Sequence, residues 1–169
     1  MKKWRKLKIF LIVLLFGFLL PEFSVIPVKN ATSNDWNAKS FWFEPWGKSG
    51  VHKGIDIFGK MNTPVLSTTY GIVIFAGELP LGGKVVAVLG PKWRIHYYAH
   101  LNDDLVFIGE PVWRGSAIGL LGDTGNAKGK PAHLHYAVVS LLPYVWKIDA
   151  STQGCKKAFY LDPGKIIVP

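Results

Sequence analysis

Apolar and polar positions divide the chain into three stretches. The first opens on "MKKWRKLK" and passes directly into the apolar run "IFLIVLLFGFLL", Ile9 to Leu20, closed by Pro21 and Glu22. A basic start before an apolar run too short for a bilayer span, which needs about 20 residues, is the order of a secretory leader. Residues 1–30 are therefore expected to be a signal peptide or an N-terminal membrane anchor, with the cleaved signal favoured. The cleavage signal itself is poor: the nearest small-x-small triad, Ala31-Thr32-Ser33, lies well beyond the apolar run, and "FSVIPV" would lengthen an uncleaved anchor. Either outcome keeps the basic flank inside and exports the rest of the chain.

The second stretch, residues 31–47, mixes Trp and Phe with Asn, Ser and Gly and reads as an irregular, aromatic lead-in. Beyond it the pattern changes to short β-branched or aromatic runs cut by glycine and proline. "TPVLSTTYGIVIFAG", "GGKVVAVLG", "RIHYYAHL", "GEPVWRGSAIGLLG" and "AHLHYAVV" all have strand length. No sustained 3.6-residue apolar period occurs outside the leader, so residues 48–169 are predicted to form an all-β domain with tight turns. The tail "FYLDPGKIIVP" is expected to add a short closing strand or turn.

Composition changes this picture little. The chain has 169 residues and a formal net charge of +9. Six of the 20 Lys and Arg lie in residues 1–30, leaving a net charge of +4 on the remainder. That mild basicity suits an anionic polymer such as cell wall, and it is no footprint of a nucleic-acid binder. A single cysteine, Cys155, excludes an intramolecular disulfide and reads as a lone structural or loop thiol rather than a nucleophile.

The chemistry lies in the histidines. All five, His52, His96, His100, His133 and His135, fall in the predicted β domain, together with Asp56 in "HKGIDIFG". In "AHLHYAV" the i, i+2 spacing sets His133 and His135 on one strand face. His-x-x-x-Asp and His-x-His supply imidazole and carboxylate donors of the kind zinc favours, and three such ligands leave a fourth position for water. Each motif alone is weak, because hydrogen-bonded histidines are common; their joint occurrence with "YYAHL" is what signals a site. Read as one strand, "RIHYYAHL" also sets His96 and Tyr98 on the face of His100. His96 is then either a groove residue or a plain strand position, and Tyr98 either orients substrate or packs. Phe41, Trp42, Phe43 and Trp46 either line a groove or cap the domain. Gly122-Asp123-Thr124-Gly125 is turn chemistry, and its likeness to a phosphate loop fails for want of a following Gly-Lys-Ser/Thr.

The order "HKGIDI", "YYAHL", "GDTG", "HLH" over residues 48–140 resembles the lysostaphin/LytM-type zinc metalloendopeptidases, which hydrolyse peptidoglycan cross-bridges. The resemblance implies that family's fold of antiparallel sheets with a groove. It also implies one zinc ion per chain, held by His52, Asp56 and His135, with His100 and His133 as the catalytic histidines. Peptidoglycan peptides would be the substrate, with the cytoplasmic membrane a partner if the leader stays uncut. The expected location is the periplasm or cell envelope. A non-catalytic regulator of other wall hydrolases is the alternative, disfavoured by retention of all three ligands. Many relatives carry a glutamate shortly after "HLH", where this chain has Ala137 and Val138; altered support of the site is expected from that, not its loss.

Overall fold

The computed structural model describes residues 2–167. Within them one helix, α1 (Lys2–Leu19), precedes a mostly antiparallel β domain. Its strands are β1 (Ile55–Phe58), β2 (Pro64–Leu66), β3 (Gly71–Leu79), β4 (Gly83–Gly90), β5 (Arg94–Asp104), β6 (Pro111–Val112), β7 (Ala117–Leu121), β8 (His133–Ser140) and β9 (Tyr160–Leu161). The main sheet runs β1-β8-β5-β4-β3-β6, with β7 joining β5 to β2 and β9 lying against β8. Predicted and observed class agree, and the closing strand expected in the tail is β9.

Alternation explains which face each strand buries. In β1, Ile55 and Ile57 are fully buried while Asp56 between them faces the other way. Leu134, Tyr136 and Val138 of β8 join the same core, with Val65, Val86, Val88, Tyr98, Leu101, Ile118 and Leu121. Burying each large aliphatic side chain contributes on the order of 2 kcal/mol. His133, His135 and Ala137 occupy the opposite face of β8. Core packing thereby turns the site residues outward.

Strand β5 departs from simple alternation. His100 has a left-handed φ of 66°. Leu101 pairs with Lys84 and Tyr98 with Val86, so Ala99 and His100 together oppose the single residue Val85. This is a β-bulge, and it rotates the remainder of the strand by one position. Tyr97, Ala99 and His100 share the groove face, whereas His96, Tyr98 and Leu101 point to the buried side. The expectation that His96 and Tyr98 flank His100 on one face is thus corrected. Tyr98 is a core residue whose hydroxyl accepts a hydrogen bond from the Thr68 amide at 2.8 Å.

Residues that the apolar pattern groups with the leader are woven into the domain. Val28 forms a bridge with Val65 and lies in the core, and the Val25 and Lys29 amides bond the Thr68 and Pro64 carbonyls. Immediately after α1, the Glu22 carboxylate is buried, paired with Arg94 and lying 3.3 Å from His96 Nε2. The other ring nitrogen of His96 is 2.7 Å from the Tyr136 hydroxyl. His96 is therefore a member of a buried polar network behind the sheet, not a groove residue. Helix α1 rests on Trp93, whose indole N–H donates to the Leu14 carbonyl, and Gly17 leaves the space for that ring. Much of the rest of α1, including Phe10, Ile12, Phe16 and Leu19, is exposed. Among the described residues no helix is long and apolar enough to cross a membrane.

Removing the Glu22 carboxylate would leave the Arg94 guanidinium without its counter-charge and His96 Nε2 without its neighbour, and breaking such a buried pair costs about 3 kcal/mol. Glu22→Ala is expected to lower the urea unfolding midpoint of the full chain in mild detergent accordingly. An unchanged midpoint would contradict this role.

Candidate metal centre

The site forms because antiparallel pairing sets Asp56 of β1 directly opposite His135 of β8. His52, one turn of irregular chain before β1, is buried and reaches the same point. His135 Nδ1 lies 2.8 Å from Asp56 Oδ1, and His52 Nε2 lies 3.0 Å from that oxygen and 3.1 Å from His135 Nδ1. The three residues predicted as ligands are therefore one cluster.

Hydrogen bonds around the cluster fix its tautomers. His52 Nδ1 is 3.0 Å from the Ser40 carbonyl, which only accepts, so Nδ1 carries the proton and Nε2 presents a lone pair. The same reasoning applies to His100 Nδ1 on the Thr124 carbonyl, 2.9 Å, and His133 Nδ1 on the Pro131 carbonyl, 2.8 Å. At the centre, a lone pair of His52 thus faces the Asp56 carboxylate and the His135 nitrogen. A His52 lone pair set 3.0 Å from a carboxylate oxygen is repelled by it unless a cation lies between them, and the two-imidazole, one-carboxylate set is one that zinc accepts. The residues fit the metal. Burial works to raise the Asp56 carboxyl pKa, but the His135 ring nitrogen 2.8 Å away and the neighbouring His52 imidazole outweigh it and hold the group below the usual carboxylate range.

His100 and His133 stand beside the cluster. Their ring centroids are 5.1 Å apart, and His100 lies 6.0 Å from His135. Burial, reinforced by the neighbouring imidazoles of His135 and His133, pulls the His100 pKa down to about 4. It is neutral at pH 7 and offers a lone pair at Nε2. The Gly122–Gly125 turn holds it there. Thr124 accepts the His100 ring N–H on its carbonyl and donates its hydroxyl to Leu101 O at 2.7 Å. Gly125, at φ 65°, approaches the Gly83 amide so closely that a Cβ would lie 2.3 Å from it. Sequence reasoning placed a turn here but missed its service to His100; the signal was that a conformationally demanding turn immediately precedes the His-x-His motif.

The groove around these residues has a volume of about 460 Å³. Its lining includes Tyr97, Ala137 and Val139; of the two residues expected to alter support of the site, Ala137 lines the groove and Val138 is buried in the core. Of the four lead-in aromatics, Trp46 lines the groove, stacked on the His52 ring with centroids 4.0 Å apart. Phe41 packs on the core, the Trp42 indole N–H donates to Thr152 O, and Phe43 meets Trp46 edge-on. Cys155 is exposed and outside the groove lining.

The model of peptidase family M23 matches residues 50–145. An L-Ala–D-Glu endopeptidase of Bacillus subtilis is 36% identical over 113 residues, which are 62% of this chain and 35% of that protein. The peptidoglycan DD-endopeptidase ShyA of Vibrio cholerae is 35% identical over 88 residues, 52% of this chain and 20% of that one. The chain thus spans about a third or less of the length of these curated relatives. Among solved structures, a zinc-containing peptidase from Vibrio cholerae superposes with a TM-score of 0.57 at 30% identity, covering 70% of this chain and 36% of that one. The catalytic domain of lysostaphin from Staphylococcus simulans superposes at 0.61, covering 82% and 98%, and at 23% identity it shows the shared fold.

A Cβ on Gly54 would lie 2.5 Å from the Tyr136 carbonyl and 2.9 Å from the His135 ring. Gly54→Ala is therefore expected to weaken zinc binding roughly ten- to hundredfold, as displaced supports of ligands do. Competition with a chromophoric chelator measures this; unchanged affinity would show that the ring has room to move. His100 supplies a separate test. An unfolded histidine takes up a proton near pH 6.5, whereas His100 in the fold does so only near 4. The metal-free chain should lose stability as pH falls through that window, and His100→Gln should flatten the slope measured by urea unfolding.

Proposed function

Because this chain belongs to peptidase family M23, we propose that it is a zinc-dependent metalloendopeptidase that hydrolyses peptide bonds of peptidoglycan, in cross-links or stem peptides, outside the cytoplasm. The observation that carries this reading is the convergence of His52, Asp56 and His135 within 3.1 Å, beside two further histidines whose tautomers leave Nε2 free. His52, Asp56 and His135 would hold the metal. Zinc bound there supplies a Lewis acid for the scissile carbonyl and lowers the pKa of water.

The remaining work falls to the chain's own groups. His133 and His100, anchored through Nδ1–H on backbone carbonyls, present Nε2 lone pairs to the groove. Either accepts the proton of the attacking water, and a protonated imidazole at the same position donates to the leaving amine or to the developing oxyanion. The low basicity of His100 keeps it an acceptor at neutral pH. The groove takes the substrate backbone along β8, whose His133, His135 and Ala137 form its floor. The relative named peptidoglycan DD-endopeptidase ShyA supports the substrate class. A basic segment followed by an apolar one at the N-terminus supports export, with α1 serving as a secretory signal or as an attachment to the membrane surface.

The chain loaded with zinc is expected to release muropeptides from purified sacculi, and a chelator should stop the release. His133→Ala should lower the rate by roughly 10²–10⁴-fold, the usual share of a general acid or base, while metal content stays at one per chain. Absence of chelator-sensitive release, or full activity in His135→Ala, would overturn the reading.

A further inference from the structure

The groove carries charge of one sign. Lys48, Lys53 and Lys130 line it, and its sole acid is Asp56, already turned into the metal cluster. Among the described residues none of these three lysines is in an ion pair, whereas Lys84, Arg94 and Lys157 each face a carboxylate. Lys53 is half-buried and tied to the Ser49 carbonyl at 3.1 Å, with Lys156 close by. This ammonium is thus held in the groove wall rather than swinging free.

Their placement follows the strand direction. The Asp56–His135 pairing sets the end of β1 that Lys53 precedes beside Ala137 and Val139 of β8, and Lys48 lies in the turn just before it. Lys130 lies at the other end, in the segment leading into His133. Cations therefore stand on both sides of the metal cluster along the line a bound peptide would take. Position 137, an alanine on the floor, adds no negative charge between them. Low-dielectric walls from Trp46, Tyr97, Val139 and Tyr160 strengthen the field of these charges within the groove.

We propose that these lysines select a substrate peptide bearing free carboxylates near the scissile bond, in preference to a neutral bridge such as oligoglycine. This rests on the endopeptidase reading above and narrows it. In peptidoglycan such groups belong to the stem peptide, where a γ-linked glutamyl residue and a diamino acid each leave a carboxylate unblocked. A glycine bridge offers no charge to either lysine position. Electrostatic complementarity of this kind sets choice of partner more than total affinity.

The test compares three synthetic peptides on the full zinc-loaded chain: an acidic stem peptide, the same peptide with its carboxylates amidated, and pentaglycine. The acidic peptide is expected to have a kcat/KM roughly three- to tenfold higher than its amidated form, the scale of partly exposed ion pairs, with the ratio shrinking as salt is raised. In the double variant Lys53→Met, Lys130→Met the ratio should fall towards one. Equal rates on both stem peptides, a faster rate on pentaglycine, or a preference that survives in the double variant would each overturn the proposal. Binding of the stem peptides to the His133→Ala chain separates the two readings. Selective acidic binding without hydrolysis of any peptide by the native chain leaves the groove chemistry standing and sinks the enzyme. Hydrolysis without that selectivity does the reverse.

Discussion

The pairing of Asp56 with His135 across β1 and β8 is the constraint on which the rest of the site depends. A strand has a period of two, so a slip of one residue would turn the donors into the core and the core residues into the groove. The register is held by Ile55 and Ile57 on one strand and Leu134, Tyr136 and Val138 on the other, all buried on the face opposite the donors. Hydrophobic burial, which has no direction of its own, thereby acquires one: it fixes where two imidazoles and a carboxylate meet. The close approach of the three donors is tolerated because the surrounding core determines their positions, and a cation held between them would relieve their repulsion.

Much of this was legible in the chain. Glycine-bounded β-branched runs pointed to the antiparallel domain, and the His-x-His spacing correctly placed His133 and His135 on one face. The same alternation rule misplaced the neighbours of His100. It set His96 and Tyr98 on the face of His100, and Tyr97 shares that face instead, because the bulge at Ala99–His100 inserts one residue against Val85. A left-handed φ at a histidine leaves no trace in hydrophobic periodicity. The bulge is stabilised by partners far away in sequence: the Gly82 carbonyl receives the His100 amide and the Thr124 carbonyl its ring N–H. Tertiary contacts of that kind are what a local pattern omits.

Glu22 marks a second limit of pattern reading. By composition it merely closes an apolar run; in the fold it is the counter-ion of the half-buried Arg94 and lies against the buried His96 ring behind the sheet. An acid so placed is costly to bury alone, so its position is understood only with Arg94 and His96 in view. The network also couples two regions that sequence separates. Tyr136, which touches His96, lies next to His135 in β8, and Glu22 begins the segment that continues to Val28 in the core. Helix α1 is therefore joined to the sheet by buried contacts rather than by a free linker, which limits how far the groove can turn relative to the helix.

The groove itself combines two materials with different tasks. Backbone carbonyls and close glycine turns position the histidines, and these contacts leave little latitude for substitution. Lysines and aromatics line the rest of the groove, where side chains can change without disturbing the register. Trp46 belongs to both sets, since it stacks on the His52 ring while exposing one face to the groove. A site divided in this way can keep its donor geometry while the rest of the groove lining drifts. The lining, more than the His52–Asp56–His135 cluster, is then the part of this chain that is free to set what enters the groove. Ala137 belongs to that part: it lines the groove, pairs with Tyr97 across β5 and β8, and adds no charge to that of the lining lysines.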